Sequence, residues 1–179
     1  RDEVERVVRA AKNKGVAIRI GVNSGSIRER KGLSVIASDE DLIELSVREA
    51  LHHVEILEAL HFYDTVISIK AHRVDLTVEA NRRLAKLCDY PLHLGVTHAG
   101  SLLPATVKSA AAFGLLLCEG IGDTIRVSIT GDNRDEVKVG HLLLQHLGLR
   151  QPTFDVYACP SCGRAEVDLI GLNKAVEEA

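Results

Sequence analysis

The sequence contains no methionine, and it opens on Arg1 inside one helical pattern and stops at Ala179 inside another. It is therefore expected to be an internal piece of a longer protein. It has no excess of positive charge: a net charge of -3 leaves no basic field for a phosphate backbone, which argues against a dedicated nucleic-acid protein. It lacks any apolar run near the roughly 20 residues of a membrane span. The first residues, Arg1, Asp2, Glu3, Val4 and Glu5, do not resemble a signal peptide. A cytoplasmic protein with no membrane or nucleic-acid partner is the expectation. There is no linker, low-complexity tract or short-period repeat, and the charge run Arg28 to Lys31 reads as a solvated loop. What remains is ordinary globular material: 179 residues, 46% hydrophobic and 26% charged, enough for one real core.

Short β-rich runs alternate with longer amphipathic ones. Val16 to Val22, Thr65 to Lys70, Leu92 to Val96, Thr124 to Ile129 and Phe154 to Ala158 predict strands. Ser38 can cap a helix with Asp41 at the capping-box position, followed by Ile43, Val47, Ala50, Leu51, Val54 and Leu57 on one face. Three further stripes follow: Leu76, Ala80, Leu84 and Leu87; then Val107, Ala110, Ala111, Gly114, Leu115 and Cys118; then Val137, Gly140, Leu144 and Leu147. Strict β-α repetition implies parallel strands joined by right-handed crossovers, in a doubly wound sheet or a (β/α)8 barrel. All five strand ends carry distinctive polar residues, which favours the barrel, where every strand's C-terminal end can contribute to a site. Five strands cannot close eight, so roughly half the barrel is expected before Arg1.

Arg19, Gly21 and Asn23 share strand parity, as do Ser68 with Lys70 and Arg126 with Ser128. Three cations on inner strand faces, with Asn and Ser donors beside them and almost no inward acid, describe a pocket for a dianion or diphosphate. Internal salt bridging is the bland alternative.

Four cysteines without a secretory segment point to thiols or metal ligands rather than disulfides. Cys159-Pro160-Ser161-Cys162 is a knuckle that suits zinc or an iron-sulfur cluster, with its other ligands elsewhere. Cys88 and Cys118 lie in helical stripes and are expected to be buried packing. His98, at the end of the third strand, could move a proton at neutral pH or simply be a hydrogen-bonded loop residue. The remaining histidines, His93 among them, show no ligand spacing.

Several strings together resemble a known family. Arg19-Ile-Gly-Val-Asn23-Ser-Gly-Ser26, Ile67-Ser-Ile-Lys70-Ala, Pro91-Leu-His-Leu-Gly-Val-Thr97, Glu119-Gly-Ile-Gly-Asp-Thr-Ile-Arg126-Val-Ser128 and Ala158-Cys-Pro-Ser-Cys-Gly-Arg164 are similar to the bacterial 4-hydroxy-3-methylbut-2-enyl diphosphate synthases, called IspG or GcpE. The resemblance runs over essentially the whole chain in order. It implies an α/β fold: the C-terminal part of a TIM barrel over 1–157, then the start of an iron-sulfur domain over 158–179. It implies reductive ring opening and dehydration of 2-C-methyl-D-erythritol 2,4-cyclodiphosphate in the non-mevalonate isoprenoid pathway, with ferredoxin or flavodoxin as electron donor. By the same similarity Arg19, Asn23, Lys70, Arg126 and Ser128 hold the diphosphate. Cys159 and Cys162 are two of three cysteines on a 4Fe-4S cluster, with a glutamate as fourth ligand, the remaining ligands lying beyond Ala179. A homodimer is implied. The family usually carries a glutamate, a candidate proton donor, where this chain has His98. Two other readings stand beside this one: a barrel that binds an anionic metabolite without turnover, and an unrelated phosphate-binding barrel with a structural zinc knuckle.

Overall fold

The computed structural model of the chain describes residues 2–27, 38–151, 156–160 and 162–178. The chain begins with α1 (Asp2–Lys14), whose acids lie in the first turn and lysines in the last, matching the helix dipole. Strand β1 (Ile18–Asn23) and a single 3-10 turn (Ser24–Ser26) follow. Then come α2 (Asp39–Ala59), β2 (Thr65–Lys70), α3 (Val74–Ala85), β3 (His93–Gly95), α4 (Leu102–Cys118), β4 (Thr124–Arg126), α5 (Asn133–His146) and α6 (Leu169–Glu178).

The strands are parallel and lie in chain order. β1 pairs with β2, and β3 with β4. A parallel bridge between Ile67 and Leu92 joins the two pairs. A doubly wound sheet would reverse its order at a switch point, whereas four sequential neighbours with a helix after each form an arc of a barrel wall. The expected barrel is thus borne out over these four strands.

Alternation along the strands sorts the residues. On β1, Ile20 and Val22 are buried while Arg19, Gly21 and Asn23 are exposed. Ile67, Ile69, Leu92, Leu94 and Val96 continue the apolar face, which shares one core with α2 (Ile43, Val47, Ala50, Val54, Leu57), α3 (Leu76, Ala80, Leu84) and α4 (Ala105, Ala112, Phe113, Leu116). α2 starts where its cap is expected: Ser38 Oγ accepts from the Asp41 amide at 3.1 Å and donates to the Asp41 carboxylate at 2.7 Å. Gly122, at φ +115°, turns the chain into β4, and a Cβ there would run into Leu94.

Several expectations need correction. The third and fourth strands are shorter than the β-rich runs, at three residues each. No strand forms over 156–158, while Phe154 and Asp155 of the expected fifth strand lie outside the described residues, as does the charge run Arg28 to Lys31. α4 buries Ala105, Ser109, Ala112, Phe113 and Leu116, so the stripe from Val107 to Cys118 faces outward. α4 is apolar on both faces, and periodicity alone cannot choose between them. Cys118 is accordingly exposed, not packed. Leu87 and Val137 are also exposed; in α5 Gly140 is buried as expected, with Val139 beside it.

Candidate anion site

Register builds the site. Asn23 lies opposite Lys70 and Gly21 opposite Ser68 across β1 and β2. Gly95 lies opposite Arg126 and His93 opposite Thr124 across β3 and β4. The Ile67–Leu92 bridge aligns the two pairs, and Ser68 Oγ donating to the His93 carbonyl at 2.8 Å fixes that alignment. Two rungs cross the inner face as a result. The upper rung is Asn23, Lys70, Gly95 and Arg126; the lower is Gly21, Ser68, His93 and Thr124. Arg19 begins the same face on β1.

Lys70 is the centre of the upper rung. Its side chain crosses β3 where a residue-95 Cβ would stand, placing Cε 2.9 Å and Nζ 3.3 Å from that point. Glycine at 95 is what lets the lysine lie there. Burial lowers the Lys70 pKa, and the Arg19 and Arg126 charges lower it further. Among the described residues neither Arg19 nor Lys70 has a carboxylate partner. Arg126 has one at arm's length: its Nε is 4.0 Å from Glu136, whose other oxygen accepts the Ile129 amide at 2.9 Å. The cations therefore meet little internal compensation, and an incoming anion would supply it.

The turn that delivers Lys70 is held from beneath. Thr77 Oγ1 accepts from the Ala71 amide at 3.2 Å and donates to the Arg73 carbonyl at 2.9 Å. Asn81 Nδ2 donates to the carbonyls of Ile69 and Thr77 at 3.1 and 2.8 Å. Both side chains are fully buried on α3. Adjacent loops are stitched together at the same end, with the Thr97 amide on the Ala71 carbonyl at 3.0 Å and the Thr130 amide on Gly100 at 2.9 Å.

His98 sits in that stitched loop, exposed, with a left-handed backbone at φ +53°. Histidine is among the few side chains tolerated there. Ser128 is half-buried just past β4. Ser68, which the sequence pairs with Lys70, is 1% exposed and spends its hydroxyl on β3. Ligand spacing along the sequence gives His93 no role, yet it lies on the face of the site. Its Nδ1 is 2.8 Å from Thr124 Oγ1, and burial, then Lys70, Arg19 and Arg126, push its pKa down to about 4. The overlooked signal is strand parity: His93 and Gly95 share the face of Arg126 and Lys70.

The cysteines stand apart. Cys159 and Cys162 are exposed in an irregular segment, and among the described residues no three His, Cys, Asp or Glu side chains gather around a metal. Two thiols three positions apart in sequence fit half of an iron-sulfur or zinc ligand set. Cys88 is half-buried, its thiol pKa raised by burial. A separate groove of about 520 Å³ lies on the outer helical layer, lined by Val47, Leu51, His52, Arg83 and Leu87 among others, and shares no residue with the two rungs.

Residues 1–141 match the family model described as the GcpE TIM-barrel domain. Curated relatives agree. The 4-hydroxy-3-methylbut-2-en-1-yl diphosphate synthase (flavodoxin) of Bacillus subtilis (strain 168) is 47% identical over 178 residues, 99% of this chain and 46% of the relative. Proteins of the same description from Symbiobacterium thermophilum and Lawsonia intracellularis are 50% and 51% identical over 98% and 99% of the chain, covering 46% and 48% of their own lengths. The chain spans about half the length of these relatives. With a family model covering most of it and an arc of parallel strands beneath that match, the chain belongs to the GcpE TIM-barrel domain family.

Proposed function

We propose that this chain is the C-terminal part of a barrel, over 1–157, and the start of a cluster domain, over 158–179, in a cytoplasmic, homodimeric 4-hydroxy-3-methylbut-2-enyl diphosphate synthase. The observation that carries the reading is the cation row Arg19, Lys70 and Arg126 on the inner barrel face, where Glu136 at 4.0 Å from Arg126 is the one carboxylate partner among the described residues. The similar relatives are described as flavodoxin-dependent diphosphate synthases, which supports flavodoxin as the electron donor.

The substrate is a cyclic diphosphate, and the cations offset its charge while Asn23 and Ser128 add donors. Overall, two electrons open the ring at a carbon–oxygen bond whose oxygen stays on the diphosphate, and a hydroxyl of the carbon skeleton takes up one proton and leaves as water. Cys159 and Cys162, with ligands from elsewhere in the protein, would hold a 4Fe-4S cluster, which would supply one-electron reducing chemistry. His98, on the loop after β3, gives a proton to the departing hydroxyl, in the role a carboxylic acid would otherwise fill.

Anaerobic preparation of the full-length protein, with iron and zinc analysis and turnover of the cyclodiphosphate, tests this. Iron, sulfide and product support the reading; zinc in their place, or binding without turnover, contradicts it. His98→Ala is expected to lower turnover by about 100-fold with binding kept, and His98→Glu to restore much of it.

A further inference from the structure

His93 is 8% exposed, and its Nε2 is enclosed with no hydrogen-bond partner among the described residues. A buried polar atom left unpaired is costly, and such an atom on a cation-bearing strand face marks where a ligand completes the set. The strand register gives it a direction. His93 lies one step down the inner face from Gly95, where the Lys70 side chain crosses, and beside Thr124 one step down from Arg126. The imidazole is kept neutral there by burial and by the three cations around it.

We propose that His93 contacts the bound anion directly, its Nε2–H donating to a phosphate oxygen, with Thr124 as the positioning residue that sets the tautomer. This rests on the anion-pocket reading above and adds a neutral donor to it. The chemistry of the pair permits it. The Thr124 hydroxyl can accept from Nδ1–H or donate to bare Nδ1, so rotating one O–H decides whether Nε2 presents a lone pair or an N–H. An anionic oxygen selects the N–H form, and the hydroxyl turns to donate. Lys70 crosses the strand at Gly95, one step up the same face, so one anion can meet its ammonium and the imidazole together. A neutral donor has its own use among cations, since it adds a directed hydrogen bond without adding repulsion to a row already short of counter-charge.

The test is calorimetric titration of the full-length protein with inorganic pyrophosphate, each variant checked for an unchanged melting temperature. His93→Phe is expected to weaken binding by ~10-fold, and His93→Gln, which keeps an N–H near the Nε2 position, by less than ~3-fold. Thr124→Val is expected to weaken binding while Thr124→Ser, which keeps the hydroxyl, does not. Nitrogen-15 spectra of the histidines are expected to show the His93 Nε2 protonated and Nδ1 bare once pyrophosphate is added. Wild-type affinity in folded His93→Phe, or equal affinities for Thr124→Val and Thr124→Ser, overturns the proposal. Should His93→Phe fail to fold, the two Thr124 variants and the spectra still decide it. Lys70→Ala separates the two levels: weaker binding there with unchanged binding in His93→Phe removes His93 alone, and unchanged binding in both removes the pocket.

Discussion

The barrel arc and the cysteine-bearing segment are built on opposite terms. From β1 to α5, each inner-face polar residue is placed by strand register, and its neighbours on the other face belong to one shared core. Past α5 the pattern inverts. Tyr157, Val167, Ile170, Leu172 and Val176 are all exposed, 91% in the case of Tyr157, and none of them joins the core. The arc positions its cations on a packed core, while the cysteines stand on a segment whose large apolar residues are mostly exposed among those described. On the proposed function, anion binding and metal binding should be separable by mutation, and a set of substitutions with one pH series sharpens that contrast.

The largest effect belongs to the cysteines. Cys162→Ser in the full-length protein is expected to abolish iron loading and turnover, with pyrophosphate affinity and the barrel's melting transition unchanged. A fall in anion affinity of the same size would couple the two regions and break the comparison. Next is Gly95→Val, whose Cβ would stand 2.9 Å from Lys70 Cε. It is expected to weaken pyrophosphate binding by ~10-fold or more by displacing the lysine. Gly114→Ala on α4, where a Cβ meets nothing within 4 Å, should change nothing.

Asn81→Ala should cost about 1–3 kcal/mol in chemical denaturation by removing the buried amide that ties Ile69 to α3. Its influence on anion binding, through a loosened Lys70 turn, should be smaller than that of Gly95→Val. The gentlest effect is pH-dependent. With its pKa pushed down to about 4 from an ordinary 6.5, His93 binds fewer protons in the folded protein than in the unfolded chain. Its contribution is complete above pH 6.5 and is lost as pH falls toward 4. Wild-type melting temperature should drop more steeply than that of His93→Gln across this window. Parallel curves would mean that His93 is not held neutral.

The arc was legible because its signals are local. Ser38 capping α2, the Thr65–Lys70 strand and the shared parity of Arg19 with Asn23 each follow from spacing within a few residues. What escaped needed neighbours distant in sequence. His93 looked idle because ligand spacing along the chain says nothing about the register that sets it beside Thr124. Gly95 carried no message until Lys70 was seen to cross it. Ser68 looked like a ligand donor, but its hydroxyl is committed to the strand alongside. The α4 stripe failed for a different reason: Leu103, Val107 and Leu115 are apolar yet face outward, at 73%, 60% and 49% exposure, so composition offered two equivalent faces.

A structure of the full-length protein with the cyclodiphosphate bound tests the central claim most directly. Phosphate oxygens within hydrogen-bond distance of Lys70 Nζ and of the Arg19 and Arg126 guanidinium groups are the expected result. A diphosphate seated elsewhere, in the outer groove between α2 and α3 or away from the inner face altogether, would contradict it.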